Sequence, residues 1–447
     1  MNIKLIQKPK EKPKPEADLS KEKLLVIDNG MYPMIAQHCA KWFGHVWYTK
    51  PIAAAFLESS QHVIGRGFDD IEWVPDYKKY IDKATVILYP DVNYQEDQIY
   101  YKRHGYNVCG ALGGEIMELD KHYFIDELHK AGLPVPKTWY FEGLDATWEF
   151  LKNKHEKLWI KAAERYRSDW ETDYHEDPFQ TEVVFNEKRA ELGVHRSNNI
   201  KLLVQKDIPD AVEIGRDGPF MLNGKTPKKG FWGLEKKAQF YIGRWTEEPP
   251  EILAEIERKQ EPIYKKLGFA GIFSNEVRVT KKGVAYPMDD CCRAPNPPTS
   301  TLLKVYGRSY AQAIYDLAHD RLPILKPEYL YGAEIILSSS WHERHEIHIP
   351  KVSEELQEWF LLRNVTKRDN GELYCIENKC GGHFGSIVAV GNSVDEVGEL
   401  VEDRAKQLKV YRMDYTKNFL EEMRPEIEKA KEYAGADLEA KESKKAA

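Results

Sequence analysis

The chain of 447 residues has no apolar run long enough to cross a bilayer. Its N-terminus lacks the apolar core of a secretion signal, so the expectation is a cytoplasmic protein with no membrane partner. Cysteine is scarce: six over this length make no disulfide framework, in keeping with reduced thiols. A net charge of −7 is mild and argues against a dedicated nucleic-acid binder. Internal repeats are absent, and no dinucleotide fingerprint occurs. The run Cys109-Gly110-Ala111-Leu112-Gly113-Gly114 is not G-x-G-x-x-G and follows the wrong strand, so it reads as a linker turn. Glycine is missing altogether from 162–177.

What remains is a soluble globular composition, 42% apolar and 31% charged, with material for two to four domains. Residues 1–22, rich in Lys, Glu and Pro, read as a flexible arm. Strands at 24–28, 44–48, 85–89 and 106–109 with a helix at 34–42 predict a small parallel α/β domain over 23–115. Asp120 is an N-cap candidate for a helix stopped by Gly132. Further strands are expected at 158–162, 182–185, 202–206, 211–215 and 231–236, and helices at 251–267 and 310–317. These place a second domain at 116–330, with a smaller lobe at about 135–210. A third, 331–412, carries strands at 334–338, 346–349, 373–376 and 386–390 and helices at 354–361 and 394–408. The stretch 413–447 reads as a charged helix or tail.

The segment from Gly268 to Pro298 is the most informative. Apolar alternation through Phe273, Val277 and Val279, the turn Lys281-Lys282-Gly283 and the run 284–288 predict an antiparallel hairpin. It brings Glu276 near Asp289, with Arg293 and the loop Pro295-Asn296-Pro297-Pro298 just beyond. Two hard carboxylates with a guanidinium behind them suit Mg²⁺ bridging a polyphosphate; solvated cross-strand acids are the plainer alternative. Lys121, Lys161 and Lys236 stand at element ends, where a lysine is out of place unless its charge is solvated or paired; phosphate oxygens would suit it. Together with the acid pair they favour a nucleotide site over snorkelling surface lysines.

In this order the motifs resemble the ATP-grasp superfamily, in the branch similar to phosphoribosylamine–glycine ligase, over most of 24–410. Asp120-Lys121 with Gly132-Leu133-Pro134-Val135-Pro136 is similar to the start of the family's lobe, and Leu158-Trp159-Ile160-Lys161 to its lysine-ending strand. The run 202–208 followed by Glu213 is similar to the hinge strand that meets adenine and the acid at the ribose. The resemblance implies an ATP-grasp fold, α/β and α+β, with a small N-terminal pre-ATP-grasp domain and a small C-terminal closing domain. It implies ATP and Mg²⁺ (or Mn²⁺) as cofactors. Lys121, Lys161, Arg167, Gln205, Lys206, Ile208 and Glu213 would bind ATP, and Glu276 and Asp289 the metal. Lys236 and Arg293 would be catalytic, Arg293 on substrate or phosphate.

Two departures stand out. Where the family has a glycine-rich phosphate loop, this chain offers Arg165, Arg167 and Ser168. Where it often has an asparagine two residues after the second metal acid, this chain has Cys291, a poor ligand for magnesium, so water or a backbone carbonyl is expected instead. The pair Cys291-Cys292 shows no nearby base for a nucleophile. The Trp341–His348 run, WHERHEIH, has H-E-x-H rather than H-E-x-x-H spacing, and Cys375, Cys380 and His383 lack a fourth zinc ligand.

The function expected is ATP-dependent joining of a small-molecule carboxylate to an amine through an acyl phosphate, releasing ADP and phosphate. Phosphoribosylamine–glycine ligase activity itself is one alternative. The proline-bounded loop after Asp289 and the aromatic, basic stretch after Lys236 speak against that substrate. A nucleotide-binding scaffold without catalysis, meeting protein partners through its termini, is another.

Overall fold

A computed structural model describes residues 16–51, 60–164, 172–378 and 381–440. Strands β1 (Lys23–Ile27), β2 (His45–Thr49), β3 (Glu72–Trp73), β4 (Val86–Leu88) and β5 (Val108–Cys109) form a parallel sheet in the order β3-β2-β1-β4-β5. Strands β1, β2, β4 and β5 are almost wholly buried, as strands covered on both faces are, whereas β3 is a partly exposed edge. Helices α1 (Pro33–Ala40) and α2 (Gln95–Arg103) belong to this unit. Expected strand and helix positions match here to within a few residues. The glycine run after β5 is a 3₁₀ turn leading into α3 (Glu115–Leu119) and α4 (Lys121–Lys130). The Asp120 carboxylate accepts from the Tyr123 amide at 3.0 Å, and Gly132 ends the segment at φ 68.

The small lobe is a four-stranded antiparallel sheet, β6 (Thr138–Glu142), β7 (Leu158–Ala162), β8 (Thr172–His175) and β9 (Lys201–Lys206), in the order β6-β9-β7-β8. Helices α5 (Leu144–Leu151) and α6 (Pro178–Asn199) pack on it. The strand expected at 182–185 lies inside α6. Asp177 caps that helix through the Phe179 amide at 2.7 Å, Pro178 occupies its first turn, and Thr181 and Phe185 are buried one turn apart. Helical capping and spacing outweigh the β-branched pair Val183-Val184.

The large sheet contains β10 (Ala211–Leu222), β11 (Gly230–Lys236) and β12 (Phe240–Thr246), then after α7 (Glu251–Leu267) the hairpin β13 (Ala270–Thr280) and β14 (Ala285–Cys291). Helices α8 (Thr299–Tyr306) and α9 (Arg308–Ala318) lead to β15 (Tyr331–Ser339). Beyond it come β16 (Ile347–Ile349), α10 (Glu354–Trp359), β17 (Phe360–Leu362), β18 (Val365–Lys367), β19 (Leu373–Cys375) and β20 (His383–Gly391). Then α11 (Val394–Gln407), β21 (Met413–Asp414) and α12 (Phe419–Ala434) follow among the described residues. The large sheet runs β14-β13-β10-β11-β12-β15-β20-β17, with β21 paired to β15; β16, β19 and β18 make a separate three-stranded sheet. Thus the region set apart in sequence as a closing domain, 331–412, shares one sheet with the hairpin region through the β12–β15 ladder. The charged tail contains α12, which buries Phe419, Met423, Ile427 and Ala430 in the main core and sets Phe419 edge-on to Phe240 at 5.2 Å.

Candidate active site

The hairpin β13–β14 turns at Gly283, whose φ of 73 suits glycine, and its register sets Glu276 directly opposite Asp289. A bulge between Glu276 and Val277 ends regular pairing there. Both carboxylates are largely buried, with side chains 19% and 23% exposed. Two like charges this close need cations. Lys121, the first residue of α4, contacts Asp289, and Lys237 Nζ stands 3.8 Å from Glu276. The Lys121 amide donates to Ala163 O at 2.7 Å, which fixes the start of α4 against the end of β7. On β7, Lys161 donates to Gln205 Oε1 at 3.2 Å. Burial pushes Lys161 down to about 8, helped by the Lys121 charge and opposed by Asp289. Lys237 is held above the usual lysine range, mainly by Glu276. Three ammonium groups, from α4, β7 and the turn after β11, therefore surround two facing carboxylates.

The structure brings Lys121, Lys161, Gln205, Glu276 and Asp289 together. Glu213, on β10, accepts from Arg278 Nε at 3.2 Å, and burial with the Glu276 charge raises it to about 6. Lys206 and Ile208 continue from Gln205, Lys206 exposed and Ile208 buried. Arg167 lies outside the described residues. Lys236 does not join the cluster: its Nζ contacts Glu422 of α12 and stands over the Phe240 ring. The reason is the period of a strand. Glu235 pairs with Tyr241 on the face that carries Glu213 and Glu276, so Lys236 falls on the α12 face and Lys237 returns to the cleft. Counting alternate positions from the core residues Trp232 and Leu234 would have separated the two lysines.

Glu235 is a second site residue that the sequence motifs do not mark. Burial raises its carboxyl well above the usual range, and Glu276 and Glu213 push the same way. With Glu213, Asp217, Tyr241 and Glu276 it lines a cavity of about 10 Å³, room for about one water. The glycines Gly233 and Gly243 keep its floor low: a Cβ on either would come within 2.5 Å of the Tyr241 hydroxyl. That hydroxyl instead reaches Asp217 at 2.6 Å.

Arg293 is placed differently from the lysines. Its Nε donates to Glu118 at 2.7 Å and its Nη1 to the Tyr32 hydroxyl at 2.8 Å, tying the segment after β14 to the parallel sheet. Cys291 and Cys292 are free thiols. His342 Nδ1 is bonded to His345 O, and His345 stacks on Trp341. Cys380 falls outside the described residues. Among the described residues no three His, Cys, Asp or Glu side chains form a metal group.

A magnesium ion nevertheless fits Glu276 and Asp289. Both are hard oxygen donors, and this ion is commonly held by one or two carboxylates with phosphate oxygens and waters filling the remaining positions. Among the described residues no helix is long and apolar enough to cross a membrane.

No protein-family model matches this sequence, and no curated protein matches it. Solved structures do. The chain superposes on phosphoribosylamine–glycine ligase from Thermotoga maritima with a TM-score of 0.62 at 14% identity, covering 89% of this chain and 99% of that one. The biotin carboxylase domain of the 2-oxoglutarate carboxylase from Hydrogenobacter thermophilus, solved with MgADP and bicarbonate, gives 0.62 at 12%, covering 91% and 98%. An L-amino acid ligase from Bacillus licheniformis gives 0.58 at 14%, covering 89% and 99%. The fold of this chain is the ATP-grasp fold.

Proposed function

We propose that this chain is an ATP-dependent ligase that joins a carboxylate to an amine. The observation that carries the reading is the facing pair Glu276 and Asp289 ringed by Lys121, Lys161 and Lys237. Such a group neutralises a triphosphate and its metal without any covalent nucleophile of its own, as phosphoryl transfer requires. Lys121, Lys161 and Lys237 would hold phosphate oxygens, with Lys237 in the role the resemblance gave to Lys236. Glu276 and Asp289 would hold Mg²⁺, which supplies charge neutralisation of the phosphates. Gln205 to Ile208 would face adenine, and Glu213 the ribose. A substrate carboxylate oxygen attacks the γ-phosphorus, and the bond from that phosphorus to ADP breaks. The amine nitrogen then bonds to the acyl carbon as its bond to the phosphate oxygen breaks, leaving an amide, phosphate and a proton. Arg293 would face the carboxylate or the leaving phosphate with Nη2, since Nε and Nη1 are committed to Glu118 and Tyr32.

The test is a phosphate-release screen of carboxylates crossed with amines in the presence of Mg-ATP. Release that depends on both substrates, with ADP formed in equal amount, supports the ligase. Tight nucleotide binding without ADP release for any pair would favour a non-catalytic scaffold.

A further inference from the structure

Two motifs that the nucleotide site does not use meet in the fold. The run Trp341–His348 begins just after β15, and His383 opens β20. These strands pair antiparallel, with Ser338 opposite His383. The join is tight. Ser339 N donates to Gly382 O at 3.0 Å, Asn378 N to His342 O at 3.0 Å, and Asn378 Nδ2 to His383 O at 3.0 Å. Asn378 thus links the backbones of the two histidines. The turn needs glycine at 382, where φ is 60 and a Cβ would fall 2.2 Å from Ser339 O.

His342 is 0% exposed. Its Nδ1 stands 3.1 Å from His345 O, and a carbonyl only accepts, so Nδ1 carries the proton and Nε2 a lone pair. That Nε2 is buried and has no hydrogen-bond partner. A buried acceptor left in this way is costly. It is also the form in which histidine binds a metal, one ring nitrogen fixed by a carbonyl and the other bare. The ring of His383 is half-buried and makes no hydrogen bond to another described residue. It lies within electrostatic reach of His342 and of Arg363, and Arg363 is itself paired with Glu334 at 3.2 Å. Carboxylate charge is close by. Glu377 acts on His342, and Glu343 Cγ lies 3.2 Å from where a Cβ of residue 382 would stand. Cys375 is committed elsewhere, its thiol donating to Phe384 O at 3.5 Å.

We propose that His342 Nε2 and His383 together hold a zinc ion, which clasps the end of β15 to the start of β20. Two imidazoles suit a borderline divalent ion of this kind, with water or a neighbouring carboxylate filling its other positions. Neither motif supplies such a site by itself; the fold joins one histidine from each. The proposal does not depend on the ligase reading.

The experiment is a competition titration of the full chain with zinc against a chromophoric chelator, in excess magnesium so that the hairpin acids are occupied. The wild-type chain is expected to take up a single zinc. His342→Gln and His383→Gln should each weaken that binding at least tenfold, with the fold checked by circular dichroism. His348→Gln should leave it within twofold, because that ring lies beside Tyr374 at 5.1 Å. X-ray absorption at the zinc edge of the wild-type complex needs no variant and should show two imidazole ligands. No zinc uptake, a ligand shell without imidazole, or an affinity unchanged in the folded His342 and His383 variants would overturn the proposal. An equal loss in His348→Gln would do the same.

Discussion

At the end of β11 one step along the chain separates two lysines with different surroundings. Lys236 rests on α12 against Glu422, whereas Lys237 faces Glu276. Lys237→Ala should therefore lower the rate of phosphate release by tenfold or more, and Lys236→Ala should leave it within about twofold. Comparable losses in both variants would contradict the assignment. Lys161 offers a different contrast, because burial makes its charge costly in the nucleotide-free protein. Lys161→Met should weaken Mg-ATP binding by about 1.5–3 kcal/mol, the scale of a lost charged hydrogen bond. Its melting temperature without nucleotide at pH 7 should rise, since an uncharged side chain no longer has to be desolvated. Calorimetry and thermal melts separate the two effects, and unchanged nucleotide affinity would remove Lys161 from the site. That the site needs lysines at element ends was legible from the sequence; which of two adjacent lysines serves was a matter of strand phase.

The β13–β14 hairpin shows why some elements are legible and others are not. A local turn at Gly283 and period-two alternation fix its register, so the Glu276–Asp289 pairing is legible in the residues alone. Glu276→Gln and Asp289→Asn should each abolish phosphate release while preserving the fold, because the backbone ladder that builds the hairpin does not depend on these charges. Circular dichroism and a phosphate assay would check both halves, and wild-type turnover in both variants would make the hairpin merely structural. Elements held by distant partners were harder to read. The segment 182–185 has strand-like residues but receives its helical state from Asp177 and Pro178 at one end and a buried face at the other. Helix α12 looks like a solvated tail because charged residues dominate it, yet one stripe is buried. Phe419→Ala should cost about 3–5 kcal/mol, the range for an emptied aromatic core site, and lower the melting point accordingly.

At the scale of the whole molecule, several buried acids among the described residues are held above the usual carboxylate range. Asp28, Glu115 and Asp290 are raised to about 7, and Asp217 to about 6, each chiefly by burial. Unfolding returns such groups to near 4, so between pH 4 and 7 the folded chain binds more protons than the unfolded one. Their contribution to stability is present at low pH and lost as pH rises through about 7. Lysine-paired surface acids such as Glu16 work in the other direction, but solvent screens them. The melting temperature should thus fall between pH 5 and pH 8. Asp290→Asn should shrink that fall, because an amide in contact with Gln260 and Tyr264 has no charge to bury. A fall of the same size in the variant would show that Asp290 is not its source.

The β12–β15 ladder also sets a timetable for synthesis. Strand β12 emerges from the ribosome with one edge open, and its partner begins only at Tyr331, about 85 residues after Thr246. At 5–20 residues per second that edge waits roughly 4–17 s for cover. During the wait, the row of unpaired amides and carbonyls from Phe240 to Arg244 is a template for strands of other chains. A nascent protein of this topology depends on holding that edge apart from its neighbours on the same polysome.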